Sequence, residues 1–486
     1  MRRVLVGVVI LILILGAVLI TRTLSVDMPP EEAASAPPPG MESAVVAQHL
    51  SQAIKFETVS YGDGVKEKER NAAIAQFRAW MEQTYPYLHE AAPQEQVGES
   101  LLYVWRGTND NLPPVLLMAH MDVVPVVPGT EKDWTHAPFS GDIADGFVWG
   151  RGALDDKAAL VAILDAGERL AAGHFQPTRT IMFAFGQDEE VGGAQGNSEI
   201  AKRLAMRGVH FAWVLDEGMP ILNEPFPGVR SPIALLGVAE KGYLSLELVA
   251  HGEGGHSSRP TQDMALPRLA SAISNVVGHP FVSDLDSIQT TFLNILTPRL
   301  PFIAKMALAN MWLMKPLIIY QMESRPESAA VLHTTISPTI ISGGVKDNVI
   351  PATARAVVNF RLHPRDTIAS VTEHVRQAIN DPKVDVTSLM ETRSEASKIV
   401  GQNDPAYLYI ADLIKSSFAV PVAPQLMVGA TDSVHYLAIA DAVLRFWPFP
   451  LDHDDLPRIH GTNERIAVDH LGPAVGFYMR VMQSLK

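Results

Sequence analysis

The chain contains no cysteine. Disulfides, thiolate nucleophiles and Cys-ligated zinc are therefore excluded, and any metal must sit on His, Asp or Glu. This absence does not choose between reducing and oxidising compartments. Basic residues are also scarce: 39 Lys and Arg stand against 53 Asp and Glu, a formal net charge of −14. There is no basic run and no basic patch interleaved with aromatics. A nucleic-acid partner is thus excluded, because phosphate binding needs clustered cations. Charged residues make up 19% of the chain and apolar ones 47%, a globular rather than a disordered composition. At 486 residues the chain exceeds one ordinary core, and about two or three domains are expected.

What is present starts with Met1-Arg2-Arg3 and an unbroken apolar run from Val4 to Ile20. As a helix this run spans roughly 26 Å at about 1.5 Å per residue, near the lower limit for a bilayer crossing. A retained single-pass transmembrane anchor over residues 4–21 is expected. The alternative is a signal peptide and a secreted product, but the small-residue site Ala34-Ser35-Ala36 lies far downstream. A buried soluble helix fits poorly with flanking Arg residues and all-round apolarity. Arg2 and Arg3 favour a cytoplasmic N-terminus, although Arg22 weakens the asymmetry. The body is then expected to be periplasmic or extracellular, joined through a Pro-rich linker at residues 22–43 that includes DMPPEEAASAPPPG.

From about Ala44 the pattern is that of an α/β protein. Pro114 to Ala119, Thr180 to Phe185 and Phe211 to Leu215 are short apolar runs of the kind buried parallel strands show. Asp156 to Ala172 carries apolar residues at helical spacing and ends before Gly173. A mostly parallel sheet with covering helices follows. Around Lys241 the texture changes. Gly242 to His251 and Ala352 to Leu362 alternate apolar with polar, as a one-sided sheet does. Ile368 to Ile379 reads as an amphipathic helix, and Val384 to Met390 as a further strand. Residues 241–392 are thus expected to form an inserted α+β domain, with 44–240 and 393–486 forming the catalytic one.

The chemistry gathers where the apolar strands stop. His120 and Asp122 follow the first strand, Asp155 and Asp156 open a helix, Asp188-Glu189-Glu190 follow Phe185, and Asp216-Glu217 follow Leu215. Strand carboxyl ends line one crevice in an open α/β sheet. Each part alone has a bland explanation: a structural H-x-D, or a solvated helix start where acids are favoured. Four such sites at successive strand ends are harder to explain that way. Carboxylates a few ångströms apart cannot all ionise unpaired. A pair of divalent cations resolves this, and nitrogen plus oxygen donors suit zinc, with manganese or cobalt as alternatives.

These words also carry a resemblance. AHMDVVP (119–125), WGRGALDDK (149–157), GQDEEVGG (186–193), VLDEG (214–218), GHSSRP (255–260), DNVIPATARAVVNFRLHP (347–364), GATDS (429–433) and RIHGTNER (458–465) run in the order seen in M20 metallopeptidases. The chain most resembles the subgroup of carboxypeptidase S and the secreted N-acyl amino acid hydrolases, across roughly residues 45 to 484. The resemblance implies that Asp155 bridges two metals. It puts His120 and Glu190 on opposite ions, with Asp216 on one and His460 on the other. Asp122 would accept the free imidazole N–H of His120 and fix its orientation, and Glu189 would be the general base. The inserted domain would act as a lid and dimerise, sending His256 to the partner's site to stabilise the oxyanion. Asn348 and Arg361 would lie near the substrate, Arg361 gripping its carboxylate, with Gly429 and Thr431 lining the same pocket. Val434 departs from the Arg or Lys usual after T-D-S, and contacts belonging to that base are not carried over.

The implied reaction is hydrolysis of an amide bond next to a free carboxylate, in N-acyl amino acids or small peptides. Bridging cations lower the pKa of a water from 15.7 towards about 7, and Glu189 shuttles its proton to the leaving nitrogen. A carboxypeptidase or dipeptidase with a polar acyl side is the runner-up. From another class, a catalytically inactive membrane receptor or scaffold on the same fold is the alternative, and the presence of Glu189 and every ligand argues against it. Glu217 reads as a surface or supporting acid, and His251 and His435 as structural. Asp452 to Asp455 reads as a solvated loop. Leu300 to Ile319 is very apolar for an insert: core or dimer interface on one reading, acyl-chain groove or membrane-contacting surface on the other.

Overall fold

In the computed structural model, which describes residues 2–29, 42–225, 229, 231–389 and 393–485, the short apolar runs become the middle of a ten-stranded sheet. Val115–His120, Ile181–Gly186 and Trp213–Asp216 are buried along their whole length and pair in parallel. A strand covered on both faces has no use for alternation, which is why these segments read as unbroken apolar runs. Lys157–Ala172 packs against Val115–His120, and Val468–Gln483 packs on that helix in turn. Asn197–Met206 buries Ile200 and Leu204 against Leu116, Met118, Met182 and Val214.

The sheet is mixed rather than mostly parallel. Gln94–Val97 and Ser100–Trp105 form a hairpin turned at Gly98, whose φ is +62°, and Ser100–Trp105 runs antiparallel to Ile181–Gly186. Towards the other edge, Val443–Arg445 is parallel to Trp213–Asp216, and Ile233–Glu240 turns antiparallel again. A hairpin connection imposes this on Gln94–Val97 and Ser100–Trp105, whereas parallel neighbours need a crossover. The parallel centre still sends the carboxyl ends of three strands to one edge, and the chemistry is there.

The chain divides into two compact units. The larger holds Pro29–Val238, Val400–Gln425 and Thr431–Lys486; the other is Ala239–Ile399 with Leu426–Ala430 and Met1–Met28. The smaller unit has a four-stranded antiparallel sheet ordered Thr335–Gly343, Thr353–Leu362, Gly242–His251, Val384–Ser388. Alternate residues Leu244, Leu246, Leu248 and Ala356, Val358, Phe360 face inward with Leu269, Val276, Val371 and Val375 from two helices, Ala265–Gly278 and Ile368–Ile379. Thr335–Gly343 forms an outer edge, with Ile340 and Ile341 exposed. The N-terminal run is a helix, Arg2–Leu24, long and apolar enough to cross a membrane. Most of the linker, residues 30–41, lies outside the described residues, as does Met390 at the end of the last expected strand.

Candidate metal centre

His120 is the last residue of its strand, and its imidazole is tied at both nitrogens. Nε2 lies 2.8 Å from Asp155 Oδ1, and Nδ1 lies 3.0 Å from the Asp122 carbonyl. Asp122 Oδ1 is 3.5 Å from Nδ1, so the main chain of Asp122 holds the ring more closely than its carboxylate does. That carboxylate has another task. It accepts the backbone N–H groups of Glu189 at 3.1 Å and Glu190 at 3.2 Å, and the Ser60 hydroxyl at 2.6 Å. Asp122 thereby fixes the turn that presents the two glutamates.

Asp155 stands in the middle. Its Oδ2 is 3.0 Å from His460 Nε2, which also lies 3.2 Å from Glu190 Oε2. One carboxylate oxygen therefore faces each histidine. Asp155 is held in place by Glu464, which accepts the N–H groups of Leu154 at 2.8 Å and Asp155 at 3.1 Å and pairs with Arg151 at 2.7 Å. Ligand atoms of His120, Asp155 and Glu190 lie within 4.8 Å of one another. Asp216 is not in that group. Its Oδ1 accepts the Glu217 N–H at 3.0 Å, and its Oδ2 accepts the Ser433 N–H at 2.8 Å. Thr431 bonds Asp216 and sits 2.6 Å from the Ser433 hydroxyl, so its side chain supports an acid of the centre.

The electrostatics follow from crowding. Burial raises Glu189 well above the usual carboxylate range, and Asp432, Glu190 and Asp155 nearby add to this. Burial also raises Glu190. Asp155 is buried too, yet hydrogen bonds from His120 and His460 hold it below its ordinary value. Burial would lower His120, but Asp122 and Asp155 raise it, and Asp155 and Glu190 push His460 up to about 10. The donor set fits a divalent cation: Glu190 Oε1 is buried with no hydrogen-bond partner among the described residues, a costly state for a carboxylate oxygen.

Two acids escaped the sequence reading. Asp432 is buried, accepts Asn197 Nδ2 at 2.6 Å, and is one of the charges felt by Glu189. The loop folds over it closely: a Cβ on Gly193, at φ +64°, would come 2.0 Å from Asp432 Oδ1. Glu464 is the other, legible only as the fourth residue after His460. Glu217 is buried rather than a surface acid, and burial raises its carboxyl well above the ordinary range.

His256, Asn348, Arg361 and Gly429 belong to the smaller unit. Arg361 stacks over the Tyr243 ring, 4.6 Å from its centroid, and its Nη1 is buried without a hydrogen-bond partner among the described residues. His256 Nδ1 accepts the Ser258 hydroxyl and N–H, leaving Nε2 as the outward nitrogen. The carbonyl of Asn348 accepts the Ser257 N–H, which joins Asn348 to the His256 turn.

The description "Peptidase family M20/M25/M40" matches residues 116–484 of this sequence. Probable carboxypeptidase S-like 2 of Dictyostelium discoideum is 34% identical over 443 residues, covering 90% of this chain and 85% of that protein. The Homo sapiens N-fatty-acyl-amino acid synthase/hydrolase PM20D1 is 35% identical over 451 residues, covering 91% and 88%. Among solved structures, the M20 family metallo-carboxypeptidase Sso-CP2 of Sulfolobus solfataricus shares the fold. It matches with a TM-score of 0.65 at 18% identity, covering 90% of this chain and 98% of that one.

Proposed function

The chain belongs to peptidase family M20/M25/M40, and on that premise we propose that it is a metal-dependent amidohydrolase cutting the amide bond next to a free carboxylate. The reading rests on one observation above all: His120, Glu190 and His460 gather around the two oxygens of Asp155, with Glu189 next to Glu190. His120, Asp155, Glu190, His460 and Asp216 would hold two divalent cations, zinc by preference for nitrogen and oxygen donors. Such cations, when bound, acidify a water and polarise an amide carbonyl. Glu189 accepts the proton of the attacking water and returns it to the leaving nitrogen. Asp122 keeps Glu189 and Glu190 in register through their N–H groups.

Substrate selection is assigned to the smaller unit. Arg361 offers a buried, unpaired guanidinium nitrogen, and a carboxylate is the group that satisfies it in a charge-assisted pair. His256 would reach the site of a second copy and donate to the oxyanion there, with Asn348, Gly429 and Thr431 beside the substrate. N-acyl amino acids are the proposed class, since the relatives include N-fatty-acyl-amino acid synthase/hydrolases; the carboxypeptidase S relatives favour small peptides as the second reading. We further propose that Arg2–Leu24 is a single-pass anchor, with the body periplasmic or extracellular. Pairing of two copies along the exposed edge Thr335–Gly343 belongs to the same proposal, because an open apolar edge is a template for a second strand.

The test is a panel of N-acyl amino acids, short peptides and the carboxamides of each. Losing a hydrogen bond to a charged group costs about 1.5–3 kcal/mol, so blocking the carboxylate should lower kcat/KM by about 10- to 150-fold. Arg361→Ala should lower acid cleavage by a similar factor while changing carboxamide cleavage little. Equal cleavage of acid and carboxamide by the unaltered enzyme removes the carboxylate from the reading.

A further inference from the structure

Leu300 to Ile319 forms two helices, Phe302–Ala309 and Met311–Glu323, bent by 117° at Asn310. This is not core. Ile303 is 78% exposed, Trp312 58%, Leu317 57% and Tyr320 71%, while only Leu308 and Ile318 are buried within the two helices. Between residues 300 and 322 there is no acidic residue, and the charges are Lys305 and Lys315. An apolar surface of this extent, facing water, marks a contact.

The same unit shows what the contact is with. The bend receives the far end of the N-terminal helix. Asn310 Nδ2 donates to the Leu19 carbonyl at 3.2 Å and to the Thr23 hydroxyl at 3.4 Å, and Arg22 Nε donates to the Ala309 carbonyl at 3.4 Å. Thr23 and Asn310 are both buried. Residues 19–23 are where an apolar span over Val4–Ile20 leaves the hydrocarbon. With Arg2–Leu24 spanning a bilayer, these hydrogen bonds would keep the bend at its surface. Trp and Tyr with Lys on a short apolar helix are the residues that settle in the headgroup boundary.

We propose that the bent pair lies in the headgroup–acyl boundary of the leaflet beside the anchor, as a second membrane contact of this unit. The inference rests on the anchor reading above. It goes beyond that reading by setting the unit against the phase in which long-chain acyl amino acids dissolve.

Because the protein has no cysteine, single-cysteine variants can carry an environment-sensitive dye without background labelling. Ile303→Cys and Leu317→Cys probe the two helices, and Leu11→Cys probes the anchor, all in the full chain reconstituted in phosphatidylcholine and phosphatidylglycerol vesicles. Cleavage of a soluble N-acetyl amino acid checks folding. Dyes at 303 and 317 should blue-shift. Iodide quenching should fall several-fold below that of the free dye, and lipids spin-labelled near the headgroup should quench more than lipids labelled at the chain end. Leu11 should show the reverse lipid preference. Iodide-accessible dyes at 303 and 317 beside a shielded Leu11 overturn this inference and leave the anchor standing. A Leu11 dye open to iodide, or lost by processing, removes the anchor and the inference with it. Dyes at 303 and 317 shielded from both quenchers, with a doubled mass by light scattering in detergent, assign the pair to a second copy and also overturn the proposal.

Discussion

Glu189→Gln lowers kcat by about 10²- to 10⁴-fold while leaving the metal content of the protein unchanged. The substitution keeps the side-chain volume and removes a proton carrier. The backbone N–H of Glu189 bonds Asp122, and Gln retains that bond. The site therefore keeps its shape. KM should move little, since the substrate carboxylate is assigned to Arg361. A loss below about tenfold would pass the role of base to another acid, and Asp432 is the neighbour to try next. Elemental analysis beside steady-state kinetics separates loss of the base from loss of the ions. A Gln variant that also lost its metals would add Glu189 to the proposed ligands.

Asp155→Ala behaves differently. It removes the carboxylate that faces both His120 and His460, and no other acid among the described residues is within hydrogen-bond distance of both rings. The variant should bind less than one equivalent of metal per chain and show no turnover above background. Its loss exceeds that of the base, because without the cations the carbonyl is not polarised and Glu189 has no acidified water to deprotonate. The fold itself should survive, since Glu464 still bonds the backbone at Leu154 and position 155 and still pairs with Arg151. Circular dichroism checks that. Full metal content in Asp155→Ala would place the cations elsewhere.

The sequence was most legible where burial was most uniform. Val115–His120 and Ile181–Gly186 are covered on both faces, so they read as apolar runs, and the acids after them stand out by contrast. Gln94–Val97 carries no such signal, because QEQV lies on a sheet edge with only one residue buried, and the mixed character of the sheet was lost with it. His120 and Glu190 were legible because they follow parallel strands that end on one edge, and Asp155 because it opens a helix beside them. Asp432 and Glu464 were not, since each works by bonding side-chain amides or backbone N–H groups, which leave no spacing pattern. Asp216 shows the limit of strand-end reasoning: the strand brings it to the right edge, but local N–H groups decide where its oxygens point. The apolarity of Leu300 to Ile319 was plain in sequence. The bend at Asn310 and its bonds to residues 19–23 were not, because the partners are 287 and 291 positions apart.

The central claim is that this chain hydrolyses amides with cations held around Asp155, and one measurement addresses it most directly. The full-length protein is purified, its metal content determined, and its cleavage of an N-acyl amino acid followed through chelation and stepwise return of zinc. The expected result is about two equivalents per chain at the start, loss of hydrolysis in step with loss of metal, and recovery as the second equivalent is restored. Undiminished hydrolysis by protein stripped of all metal would contradict it.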